Sequence, residues 1–147
     1  MNKVWIVTAD MGYGHQRAVY PLKALAQGDI ITANNDVFNS PAENKLWEKT
    51  LKLYEFFSRT HSIPVIGKYV FAILDYFLKI PDEFESDLSN ATFQVKLLEK
   101  SIKKGLCEGI MKRVQTKSIP LLTSFYAPAI AADLSGFKKV YCIICDA

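Results

Sequence analysis

The stretch Val4-Trp-Ile-Val-Thr-Ala-Asp-Met-Gly-Tyr-Gly-His15 decides the fold class of this chain. Val4 to Val7 is a short β-branched and aromatic run that reads as a buried strand, and it passes at once into a turn-rich segment with two glycines. From Gln16 to Gln27 the apolar residues Val19, Leu22, Leu25 and Ala26 recur near helical spacing, with Pro21 in the first turns, where a missing N–H costs least. Gly28 is a helix stop, and Ile30-Ile-Thr-Ala33 is a second strand. The opening is therefore a β-loop-α-β unit.

Working outward, Ser40-Pro41 before Ala42-Glu43 has the form of a cap and first helical turn, and a long helical region follows. Ile63-Pro64 and Ile80-Pro81 break that region into pieces. Leu98, Ile102, Leu106, Ile110 and Val114 fall at strict four-residue steps, a core stripe on one helix that Gly105 and Gly109 weaken without ending. Ile119-Pro-Leu-Leu-Thr123 reads as a buried strand, Phe125 to Leu134 as a loop and short helix, and Val140-Tyr-Cys-Ile-Ile-Cys145 as another buried strand. This alternation predicts an α/β domain with an open, mostly parallel sheet flanked by helices.

Composition excludes several classes. With 147 residues, 50% of them hydrophobic and 22% charged, the chain is neither disordered nor of low complexity, and it is long enough for one core without disulfide or metal staples. A net charge of +3 is too mild for nucleic-acid binding unless it is concentrated. Three cysteines, Cys107, Cys142 and Cys145, do not make a secreted disulfide framework, and the N-terminal apolar run is too short for a signal peptide, so a cytoplasmic location is expected. The longest apolar run, Tyr69 to Leu74, is far below the ~18 residues of a membrane span. A strand that closes the sequence at Asp146-Ala147, with no helix after it, predicts the N-terminal part of something longer.

The sharpest chemical element is Gly12-Tyr-Gly-His15, because ligands of open α/β sheets gather at the carboxyl ends of strands. Glycines there admit a phosphate to backbone N–H groups, and the following helix adds its dipole. As a dinucleotide fingerprint the loop is incomplete: Gly12 and Gly14 fit, Arg17 stands where a third glycine belongs, and Asp36 lies where a ribose-binding acid would be. A tight turn that needs glycine for its dihedrals alone is the plainer alternative. Cys142 and Cys145 have redox or zinc spacing, but residues three apart on a strand point to opposite faces, so both read as strand-core cysteines. His61 reads as a loop residue, and the Lys103-Lys104 and Lys112-Arg113 pairs as a solvated helix face.

The stretch Val7-Thr-Ala-Asp-Met-Gly-Tyr-Gly-His-Gln-Arg-Ala18 resembles the Gly-Gly-Gly-His loop that opens the N-terminal domain of the diacylglycerol glycosyltransferases, the monogalactosyldiacylglycerol synthases and processive diacylglycerol glucosyltransferases. Val140 to Asp146 is similar to a later strand of that domain ending in Thr-Asp, and Pro120 to Pro128 falls where the family has a strand, a ligand-facing loop and a short helix. The resemblance implies the Rossmann-like, acceptor-binding half of a two-domain GT-B hexosyltransferase. That half would have no cofactor and no metal, a nucleotide-sugar as co-substrate, and a lipid or membrane-linked acceptor. It places the base on His15, and the phosphate, nucleotide or acceptor loop on Gly12, Tyr13, Gly14 and Asp146. Tyr13 departs from the family's middle glycine and narrows the loop. The nucleotide contacts would belong to a C-terminal domain or a partner chain, and this chain alone is expected to be inactive.

Residues 45–80 combine eight aromatics with a charge that equals the chain's whole net charge. Through the resemblance, Trp47, Phe56 and Phe57 with Lys45, Lys49 and Lys52 become a docking face for the inner membrane surface. Helices whose aromatics form core are the alternative. Two rival functions stand beside the transferase: a Rossmann module binding a dinucleotide through Gly12, Gly14 and Asp36, and a non-catalytic membrane-associated binding domain using residues 45–80.

Overall fold

The computed structural model describes residues 3–60 and 93–145. His61, the two Ile-Pro breaks, the aromatics from Tyr69 to Phe77 and Asp146 lie outside the described residues. The elements in chain order are β1 (Trp5–Thr8), α1 (Tyr13–Val19), a 3₁₀ segment (Tyr20–Leu25), β2 (Ile31–Thr32), a 3₁₀ turn (Ala33–Asn35), α2 (Pro41–Thr60), α3 (Phe93–Lys103), α4 (Glu108–Arg113), β3 (Leu121–Thr123), α5 (Tyr126–Leu134) and β4 (Val140–Cys142). Four strands form one parallel sheet in the order β2-β1-β3-β4. The chain is thus a Rossmann-like α/β domain, as its alternating pattern predicts.

β1 lies between β2 and β3, pairing Val7 with Ile31 and Trp5, Ile6 and Val7 with Leu121, Leu122 and Thr123. A strand buried on both faces reads as a continuous apolar run rather than an alternation, which is why Trp5-Ile-Val carries no polar residue. On one face Ile6 packs with Val19 and Ala26, beneath α1 and the 3₁₀ segment. The larger core lies on the other face, where Val7, Ile31 and Leu121 meet Trp47, Leu106, Ile110, Phe125 and Ala131 from α2 to α5. Full burial of each large aliphatic side chain there contributes about 1.5–3 kcal/mol relative to exposure.

Two helices depart from the pattern reading, for backbone reasons. The first begins at Tyr13 rather than Gln16, because Gly12, at φ 127, turns the chain into it. It ends as α-helix at Val19 and tightens into the 3₁₀ segment, since Pro21 has no N–H for the carbonyl of Arg17 and its ring crowds that carbonyl. The four-residue stripe belongs to two helices instead of one. Gly105, at φ 108, ends α3 in a Schellman motif in which Leu106 N–H donates to Ser101 O at 3.1 Å and Gly105 N–H to Ile102 O at 2.9 Å. The stripe still reports the core, with Leu106, Ile110 and Val114 buried and Leu98 and Ile102 packed against them.

The closing strand also differs. It ends at Cys142 and is the edge of the sheet, so Tyr141 and Cys142 are exposed instead of buried, and Cys142 is not a core cysteine. With β3 on one side and no described strand on the other, its apolar residues lack the cover a central strand receives.

Two buried carboxylates fix α4, one from the loop after β2 and one from the first turn of α2. Asp36 holds Arg113 of α4 and accepts the Phe38 N–H at 3.0 Å. Glu43, in the first turn of α2 and itself capped by Ser40 Oγ at 3.1 Å, accepts the Gly109 N–H at 2.8 Å and the Trp47 indole N–H at 3.4 Å. Burial raises the Glu43 pKa above its ordinary 4.5, against the hydrogen bonds that lower it. α4 comes so close to this loop that a Cβ on Gly109 would stand 2.4 Å from Asn39 Oδ1 and 2.8 Å from the Phe38 carbonyl carbon.

Gly109→Ala therefore forces the loop and α4 apart, and we expect a loss of about 1–3 kcal/mol in urea unfolding; a variant as stable as the parent would show that the contact is soft. Because the folded-state pKa of Glu43 lies above its unfolded value, folding takes up a proton there, and its contribution to stability falls as pH rises above 4.5. Wild type should lose stability relative to Glu43→Gln as pH is raised from 4.5 to neutrality, whereas a pH-independent difference between the two would contradict the buried carboxylate.

Candidate functional site

The carboxyl ends of β1 and β3 are cross-linked by polar groups. Thr8 Oγ1 and Ser124 Oγ share a buried 3.0 Å hydrogen bond, and the Ser124 N–H donates to Val7 O at 3.3 Å. Ser124 thereby continues the β1–β3 pairing one residue past the strand, and its carbonyl faces the start of α1. There His15, 3% exposed, places Nδ1 2.6 Å from Ser124 O, while its ring meets Phe125 edge-on at 5.3 Å. A carbonyl can only accept, so Nδ1 carries the proton and the lone pair of the neutral ring is on Nε2. The histidine is thus held in one tautomer by the backbone of a different strand.

The loop between β1 and α1 is anchored by a residue outside the motif. The Asn34 amide bridges both backbone groups of Asp10, accepting its N–H at 2.7 Å and donating to its carbonyl at 3.2 Å. Asp10 Oδ1 accepts from Gln16 Nε2 at 2.9 Å, closing the loop onto α1. Gly12 at the end of the loop and the first two residues of α1, Tyr13 and Gly14, stand exposed, Tyr13 at 80%. Gly12 needs its positive φ; Gly14 needs neither special dihedrals nor room, since a Cβ there would meet nothing within 4 Å. No packing among the described residues accounts for glycine at position 14.

Of the residues picked out by sequence, His15 and the Gly12–Gly14 loop come together here, and Asp146 lies outside the described residues. Asp36 does not join them as a ribose acid: its side chain, 1% exposed, is engaged by Arg113 and the Phe38 N–H. Trp47 is not at a docking surface either. It is 2% exposed, stacked near Phe125 at 6.3 Å and bonded to Glu43, because its position on α2 faces the sheet. Lys45, Lys49 and Lys52 are exposed on α2, spaced so as to share one side of it, and the side chains of Phe56 and Phe57 lie outside the described residues. Among the described residues no three His, Cys, Asp or Glu side chains are grouped to hold a metal ion, and no helix is long and apolar enough to cross a membrane.

Thr8, Asn34 and Ser124 are not among the predicted site residues, although Thr8 and Ser124 fall within the stretches Val7–Ala18 and Pro120–Pro128 that carry the resemblance. Each is a small polar residue at or just past a strand end, and only strand pairing brings them to the loop. Asn34→Ala removes both bonds to Asp10, so amide exchange at Asp10 to Tyr13 should accelerate at least about tenfold with a global loss near 1–2 kcal/mol; unchanged exchange would mean that the loop is held elsewhere. Comparison with protein-family models, curated proteins and solved structures finds no match to this chain.

Proposed function

We propose that this chain is the acceptor-side domain of a hexosyltransferase that moves a sugar from a nucleotide-sugar to a hydroxyl of a lipid or membrane-linked acceptor, with His15 as the base. The observation that supports the reading is the bond from His15 Nδ1 to Ser124 O, which puts the lone pair of the neutral ring on the buried Nε2, at the carboxyl end of a parallel sheet. The resemblance of the Gly12–His15 loop to that of the diacylglycerol glycosyltransferases supplies the substrate classes.

In this reaction the acceptor oxygen bonds to the anomeric carbon, the bond from that carbon to the diphosphate breaks, and the hydroxyl proton passes to Nε2. The lone pair of a neutral imidazole is suited to take that proton. Glycine at 12 and 14 leaves Tyr13 as the one side chain of this exposed stretch, where an acceptor or a phosphate approaches. The nucleotide is held by a second domain or a partner chain across the cleft. Lys45, Lys49 and Lys52 on α2 contribute about 1 kcal/mol each toward an anionic membrane surface that holds the acceptor.

In the enzyme assembled with its nucleotide-binding half, His15→Ala should lower kcat by about 10²–10⁴ with far-UV dichroism unchanged, the range typical of a lost general base. Turnover within a few-fold of wild type would remove His15 from the chemistry. Tight binding of NAD by calorimetry would favour a dinucleotide module instead.

A further inference from the structure

The spacing of Cys142 and Cys145 predicts two residues of one strand, facing apart. The strand ends at Cys142, so the alternation of strand faces does not govern Cys145. Both sulfurs instead gather around one backbone oxygen: Cys142 Sγ is 4.0 Å and Cys145 Sγ 3.6 Å from the carbonyl of Ile143. Both residues carry thiols; Cys142 is exposed and Cys145 half-buried. Burial, and after it the charge of Cys145, raise the Cys142 pKa.

We propose that Cys142 and Cys145 form a thiol–disulfide site at the end of β4, closing by exchange with a small-molecule disulfide and reopening with a thiol reductant. The Cys142 thiolate, on the exposed side, attacks one sulfur of the small disulfide, forms a mixed disulfide and releases one thiol. The Cys145 thiolate then attacks Cys142 Sγ, forms the internal bond and releases the second thiol. Two electrons and two protons pass from the cysteine pair to the small disulfide. The Ile143 N–H stays bonded to Thr123 O at 2.8 Å, so the movement that brings the sulfurs together falls on the irregular residues after Ile143. Only two residues separate the cysteines, and the high effective concentration of the second thiol favours ring closure over a lasting mixed adduct.

The site also touches the histidine. Cys145 Sγ lies 3.9 Å from Ser124 O, the oxygen that receives the His15 Nδ1–H, so closure removes an S–H from the group that orients the ring. The proposal itself does not depend on the transfer reaction.

The test treats the native chain with oxidised glutathione, alkylates the remaining thiols under denaturing conditions, and maps peptide masses after tryptic cleavage at Lys139. In wild type the peptide beginning at Val140 should lose two hydrogens, with the internal disulfide exceeding any glutathione adduct at least about tenfold, and Cys107 should be recovered alkylated. Cys142→Ser and Cys145→Ser should each stop at a glutathione adduct on the remaining cysteine of the pair, and dithiothreitol should return wild type to its starting mass. A persistent adduct on Cys142 in wild type, recovery of both cysteines alkylated, or a disulfide joining two chains would each overturn the proposal.

Discussion

The β1–β3 pairing places the Ser124 carbonyl, and through it the ring of His15. Its ladder runs Trp5 to Leu121, Ile6 to Leu122 and Val7 to Thr123, and the Ser124 N–H extends it by bonding Val7 O. That extension orients the Ser124 carbonyl, and the buried Thr8–Ser124 hydroxyl pair holds it. A slip of one residue would exchange the two faces of the strand and carry the carbonyl away from α1. The tautomer of His15 is thus a consequence of strand register, set by residues more than a hundred positions apart in sequence.

A second constraint acts at the base of the helical layer. α4 is pinned to the loop after β2 by Asp36 through Arg113 and by the close backbone approach at Gly109, and to the first turn of α2 by Glu43 through the Gly109 N–H. Buried carboxylates are costly unless their oxygens find donors, and removing one partner usually costs more than the pair contributes. The loop that these groups hold also contains Asn34, whose amide grips Asp10. The packing of α4 and the posture of the Gly12–Gly14 loop are therefore linked through a few residues after β2.

The polar ends of the strands and the apolar middle divide the work. Ile6, Val7, Ile31 and Leu121 supply burial, whereas Thr8, Asn34 and Ser124, just beyond them, supply donors and acceptors at the sheet's carboxyl edge. Ligand sites of parallel sheets lie at this edge because adjoining loops leave backbone groups there without ladder partners. At Ser124 one such group, a carbonyl, is used to orient a side chain.

Local order in the chain was legible because its signals are local: the β-branched run before Gly12, the Ser40-Pro41 cap and the four-residue stripe each follow from covalent geometry over a few residues. The α/β alternation and the position of the Gly12–His15 loop at a strand end follow from the sequence alone. It did not determine that Gly105 ends α3, since mid-helix glycine and C-terminal glycine differ only in the φ that the surrounding packing selects. Nor did it determine that Trp47 faces inward, that Asp36 is taken by Arg113, or that the last strand is an edge, because each depends on which elements become neighbours. Strand order and register, set by burying both faces of β1 at once, decided those contacts and brought Ser124 to His15.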